Sequence, residues 1–207
     1  MSRGRFITLE GIEGAGKSVA AAMVCEWLHR RGVGAQLTRE PGGTALAERV
    51  RELVLQPGGE RIPPEAETLL MFAARSIHLE NRIRPALAAG DWVVCDRFTD
   101  ATRAYQGGGR GLEPAFIETL AGAVHPDLVP DCTLLLDVPV TLGLERARQR
   151  RGVRDRFEQE RAPFFERVRA GYLALAAREP QRVRVLDAGR PLAEVHADIA
   201  RILEQLL

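Results

Sequence analysis

Lysine is almost missing from this chain. Of its 29 basic residues one alone, Lys17, is lysine, and the rest are arginine. An ammonium on a flexible stem follows a phosphate chain as a compact point charge where the planar guanidinium fork does not fit, so the exception marks Lys17 as a phosphate ligand candidate. Cysteine is also scarce. Cys25, Cys95 and Cys132 are odd in number, widely spaced and without a C-x-x-C pair, which argues against a disulfide framework or a zinc site and for packing residues in a reducing compartment. No apolar run comes near the ~20 residues a membrane span needs, and the short strand after Met1 to Arg5 is too brief for a signal-peptide core. The expectation is a cytoplasmic protein with no membrane partner. Net charge is low as well: 29 basic against 28 acidic residues leave +1, so no general attraction to nucleic acid is built in. The four histidines, His29, His78, His125 and His196, are scattered without ligand spacing and are assigned no catalytic role.

What is present is the composition of one globular domain: 207 residues, 45% hydrophobic, enough to bury a core without metal or disulfide. Apolar strand patterns at 6–9, 35–38, 92–95, 133–137 and 183–186 alternate with helical patterns at about 17–31, 44–55, 65–87 (bent near Pro85), 112–124, from 140 onward, 163–177 and 192–206. The all-apolar Trp92 to Cys95 run is typical of a strand covered on both faces. Alternation of this kind predicts an α/β three-layer sandwich around a five-stranded parallel sheet, as a single domain over 1–207.

Four motifs carry chemistry. Gly11, Ile12, Glu13, Gly14, Ala15, Gly16, Lys17 and Ser18 spell G-x-x-x-x-G-K-S between a strand and a helix. Such a P-loop wraps the phosphates of ATP in backbone N–H groups, with Lys17 reaching the β and γ phosphates and Ser18 a ligand for Mg²⁺. Position 19 is Val19, so no second hydroxyl serves the α-phosphate. Asp96-Arg97 closes the third strand, where an aspartate joins a magnesium shell and an arginine forks onto phosphate. The Arg-dense segment 146–156 reads alone as a solvated or RNA-binding face, and beside a P-loop as a lid, spanning about 146–160, that closes over the triphosphate. Tyr105 to Gly111 reads as a glycine-rich loop whose Tyr and Gln suit a planar ligand.

Together G-I-E-G-A-G-K-S, T-R-E-P-G-G-T, L-L-M-F-A-A-R, D-R-F, A-Y-Q-G-G-G-R-G and D-R-F-E-Q-E, in that order between residues 11 and 160, resemble the bacterial thymidylate kinases. The resemblance implies a P-loop NTPase type fold, transfer of the γ-phosphoryl of ATP to dTMP with Mg²⁺ held at Ser18 and Asp96, and a homodimer. It places Arg75 on the thymine carbonyl, Gln106 and Thr102 at the ring edge, Tyr105 under the deoxyribose, and Arg39 and Arg97 on the acceptor phosphate. Glu13 would contact the sugar 3′-hydroxyl or organise the metal, and the catalytic arginine would be Arg151 or Arg156 in the lid. Where the family usually carries a thymine-stacking Phe this chain has Met71, followed by Phe72, so either side chain packs the ring. A phosphate monoester is mostly deprotonated at pH 7, so alignment and positive charge suffice and no general base is needed. The alternatives are a kinase for another pyrimidine deoxynucleotide and a non-catalytic P-loop switch or RNA-binding module.

Overall fold

The computed structural model describes residues 3–58, 60–149 and 155–207. Five strands, β1 Phe6–Glu10, β2 Ala35–Arg39, β3 Trp92–Asp96, β4 Cys132–Asp137 and β5 Val183–Asp187, form one sheet in the order β2-β3-β1-β4-β5. Every pairing is parallel. Parallel strands need crossovers, and the helices supply them on both faces. Those helices are α1 Lys17–His29, α2 Ala45–Leu55, α3 Pro64–His78, α4 Arg84–Ala88, α5 Thr99–Thr102, α6 Pro114–Val124, α7 Val140–Arg148, α8 Ala162–Arg178 and α9 Leu192–Glu204. All five residues of β1 are buried, as a central strand with helices above and below requires.

Strand order reverses beside β1: the chain crosses to β3 and β2 on one side and to β4 and β5 on the other. Ligands of open α/β sheets bind at such a switch point, outside the carboxyl ends of the strands. The P-loop leaves β1 there, and the register pairs Leu9 with Asp96 and Arg39 with Asp96. One sheet edge therefore collects Glu10, Asp96 and Arg39.

Two stretches differ from the sequence reading. Residues 105–111, read as a loop, are mostly helical: α5 runs on into a π-helix, Arg103–Gly109. The glycines serve close packing on α8, because a Cβ on Gly109 would lie 2.5 Å from Phe164 and one on Gly108 would lie 3.0 Å from the Arg167 carbonyl oxygen. The helix read as continuous over 65–87 is α3, a π-helical turn Leu79–Ile83, then α4. Pro85 has no N–H for an i→i−4 bond, and the wider turn just before it absorbs the mismatch.

Candidate active site

The P-loop is shaped by backbone contact rather than side chains. Gly14 has φ +74°, and a Cβ there would lie 1.9 Å from the carbonyl oxygen of Gly143 in α7. Loop and α7 thus touch main chain to main chain, and α7 is the helix that leads into the Arg-dense segment. At the start of α1, Lys17 is buried and donates Nζ–H to the Ile12 carbonyl at 2.8 Å, curling over the loop. Burial, with Arg97 nearby adding to it, pulls the Lys17 pKa down to about 8. Ser18 Oγ donates to Asp96 Oδ2 at 2.7 Å. A hydroxyl and a carboxylate side by side at a loop built for phosphates are hard oxygen donors of the kind Mg²⁺ takes alongside waters and phosphate oxygens.

Beside the loop lies a cavity. Its walls include Glu13, Met71, Arg75, Arg97, Thr102, Tyr105 and Gln106, all seven expected from the sequence. Arg97 is the hub. Its backbone has φ +73°, and its Nη1 donates to the Gly11 carbonyl at 3.0 Å and the Tyr172 hydroxyl at 3.2 Å. Its Nη2 donates to Glu13 Oε1 at 3.0 Å and the Tyr105 hydroxyl at 2.9 Å, while that hydroxyl donates to Glu13 Oε2 at 2.6 Å. Loop, cavity and α8 meet in this one cluster.

At the far end Arg75 is held by two partners, Nε to Glu40 Oε2 at 2.7 Å and Nη2 to Thr102 Oγ1 at 3.1 Å. Glu40 also faces His78 Nδ1 at 3.1 Å, and His78 Nε2 meets Thr38 Oγ1 at 2.7 Å. Burial alone would raise the Glu40 carboxyl, but Arg75 and His78 hold it below its ordinary value. The remaining guanidinium nitrogen of Arg75, Nη1, is buried with no hydrogen-bond partner. A buried, unsatisfied donor on a cavity wall is a site prepared for an acceptor such as a base carbonyl.

Three expected residues stand elsewhere. Phe72 does not line the cavity; it packs with Ile117 and Ala121, while Met71 one residue earlier faces the cavity. The 100° step between successive helix positions turns only one of the pair inward. Arg39 is also outside the cavity, its side chain 54% exposed and paired with Glu48 at 2.8 Å. The cavity arginine from that part of the chain is Arg51, whose Nη1 donates to the Pro41 carbonyl at 2.8 Å. Helical spacing on α2 gave no reason to single it out. Arg156, expected at the transferring phosphate, donates instead to the Val54 carbonyl at 2.9 Å and to Glu67. Arg151 lies outside the described residues. Other cavity residues that sequence reasoning missed are Phe98, Asp155 and Phe157, the last a lid residue set edge-on to Tyr105 at 5.8 Å between ring centres. A second cavity, shared across Glu13, is lined by Arg148 of α7, residues 158–160 of the lid, and Arg161 and Ala162 at the start of α8.

A model of the family described as thymidylate kinase matches residues 9–199. The chain belongs to the thymidylate kinase family. It is 58% identical to the thymidylate kinase of Chromohalobacter salexigens over 209 aligned residues, covering 100% of this chain and 98% of that one. It is 60% identical to that of Alkalilimnicola ehrlichii over 195 residues, 94% and 90% of the two chains. Among solved structures, thymidylate kinase from Ehrlichia chaffeensis superposes with a TM-score of 0.80 at 33% identity, over 98% of this chain and 99% of that one. The five-stranded parallel sheet with its P-loop is therefore the thymidylate kinase fold, and the cavity beside the loop sits at the switch point of that fold. No helix among the described residues is long and apolar enough to cross a membrane.

Proposed function

We propose that this enzyme transfers the γ-phosphoryl group of ATP to dTMP, giving dTDP and ADP. The observation that carries the substrate reading is the Arg75 Nη1 donor, buried and without partner on the wall of a cavity that opens beside the P-loop through Arg97 and Glu13. The base enters between Met71 and Phe98, its carbonyl meets Arg75, and Gln106 and Thr102 flank its edge. Tyr105 lies against the sugar, its hydroxyl fixed by Glu13 and Arg97. Arg97 and Arg51 hold the acceptor phosphate, with Arg39 approaching from the end of β2.

On the donor side Gly11 to Ser18 wrap the triphosphate, and Lys17 swings from the Ile12 carbonyl onto its β and γ phosphates. Ser18 and Asp96 would hold Mg²⁺, which would supply charge neutralisation of the phosphates. Glu13 orients Arg97 from the loop side. A lid arginine from 146–156 approaches the transferring group: Arg151 is the candidate, and Arg148 already lines the cavity opposite Glu13. The acceptor oxygen is ionised near neutrality, so alignment and electrostatics carry the step. Assembly is proposed as a homodimer of a cytoplasmic enzyme, supported by Leu46 and Leu53 on one side of α2 and Leu69 on α3, all at least half exposed.

An ADP-release assay across dTMP, dUMP, UMP, CMP, AMP and GMP tests the assignment. Turnover should be far highest with dTMP. Preference for dUMP would move the substrate within the pyrimidine class, and no turnover with any acceptor would leave a nucleotide switch or an RNA-binding module.

A further inference from the structure

Glu67 belongs to no motif singled out in the sequence, yet its carboxylate is fully buried and collects three cationic or polar groups. It sits one helical turn before Met71 and two before Arg75, so positions i, i+4 and i+8 of α3 put it in line with the residues that face the base. Gln106 Nε2 donates to Oε1 at 2.7 Å. Arg110, at the end of the π-helix, reaches both oxygens at 3.4 Å and also pairs with Glu160 of the lid. Arg156 of the lid donates to Oε2. The next residue, Phe157, lies under both the Arg110 and Arg156 guanidinium groups, 5.3 and 5.0 Å from its ring centre, and closes the cavity against Tyr105.

A buried carboxylate needs its cations, and a buried arginine needs its carboxylate, because neither is solvated otherwise. One of those cations, Arg156, belongs to the C-terminal arm of the lid. Gln106, which lines the acceptor cavity, has its amide oriented by the same carboxylate. We propose that Glu67 is a positioning residue that couples the lid to the base end of the acceptor cavity, so that dTMP and the ATP triphosphate each favour the arrangement the other needs. Arg156 acts in this device as the latch of the lid on Glu67. This inference rests on the dTMP kinase reading above.

The coupling is measured directly as the ratio of dTMP dissociation constants without and with a non-hydrolysable ATP analogue and Mg²⁺, by calorimetry. The full-length parent should show a ratio of about 5 or more, the lower end of ordinary site-to-site coupling. Glu67→Gln and Arg156→Met should each bring the ratio close to 1, and the double variant should lower it no further, since both remove one link. Arg156→Met carries the test if Glu67→Gln does not fold. A merely structural role would weaken binding with and without the analogue equally, and an unchanged ratio in the variants would overturn the proposal. A parent ratio of 1 would overturn it as well. A parent that binds no dTMP would instead overturn the substrate reading.

Discussion

Arg97 Nη2 stands 3.0 Å from Glu13 Oε1, joining the wall of the acceptor cavity to the phosphate loop by a charge-assisted hydrogen bond. The backbone that makes this possible is in the left-handed region, at φ +73°, where a residue with a Cβ is disfavoured by about 1–2 kcal/mol. Side-chain function and backbone strain are therefore separable at one position. Arg97→Ala and Arg97→Gly should lower kcat/KM for dTMP alike, by roughly 10²–10³-fold, the loss of about two charge-assisted hydrogen bonds. Thermal melts should separate them: the Gly variant should melt about 2–4 °C above the Ala variant. Equal melting temperatures would mean that the turn carries no strain.

Lys17 supplies a pH signature. Burial, then the Arg97 charge, brings its pKa from 10.5 down to about 8. Triphosphate binding favours the charged form and raises that pKa again. ATP affinity should therefore fall as pH rises through about 8, and binding at pH 8–9 should take up a proton. Calorimetry in buffers of different ionisation enthalpy reads the uptake directly. Lys17→Ala should abolish turnover, leave dTMP affinity within about 3-fold and remove the proton uptake. Uptake that survives the substitution would assign the proton to another group.

The strands and the P-loop were legible because each depends on local pattern: buried runs at period one in β1, β3 and β4, shorter apolar patterns in β2 and β5, and glycines at fixed offsets before a lone lysine. Four residues of the L-L-M-F-A-A-R and A-Y-Q-G-G-G-R-G strings, Met71, Arg75, Tyr105 and Gln106, also come together on the wall of one cavity. Arg51 and Phe98 escaped because they reach the cavity from α2 and from the turn after β3, segments far apart in the chain whose meeting no spacing encodes. Gly107 to Gly109 were misread for a related reason. Glycine signals either a turn or a close approach, and only the α6 and α8 atoms packed against them decide which. Arg156 was named from the family resemblance as one of two lid arginines, and the carboxylate that holds it, Glu67, lies 89 residues away in sequence.

Glu10, at the end of β1, accepts from the Phe98 N–H at 2.7 Å and from the Tyr172 hydroxyl at 2.7 Å, and so pins the chain just after Arg97. Burial, then repulsion from Asp100, raises its pKa from 4.5 to about 8. The folded state holds this proton more tightly than the unfolded chain. The contribution to stability is therefore fully present below about pH 4.5 and is lost as pH rises through about 8, on the order of a few kcal/mol. Glu10→Gln mimics the protonated carboxyl and does not titrate. Between pH 5 and 8 the variant's melting temperature should drop less than the parent's, and parallel curves would mean that Glu10 is ionised throughout.

Met71 and Phe72 differ by one helix position and by which side of α3 they occupy. Met71 faces the acceptor cavity, and Phe72 packs with Ile117 and Ala121. A ring in place of the Met71 thioether would stack on the base, a contact worth about 0.5–1.5 kcal/mol. Met71→Phe should therefore lower the dTMP KM by roughly 2–10-fold at unchanged kcat. Phe72→Leu shrinks a buried side chain away from the substrate, and its effect should fall on stability, about 1 kcal/mol, with KM held. Steady-state kinetics and melting curves on the two variants read both effects. A KM change confined to the Phe72 variant would reverse the assignment and turn α3 by one residue in the working enzyme.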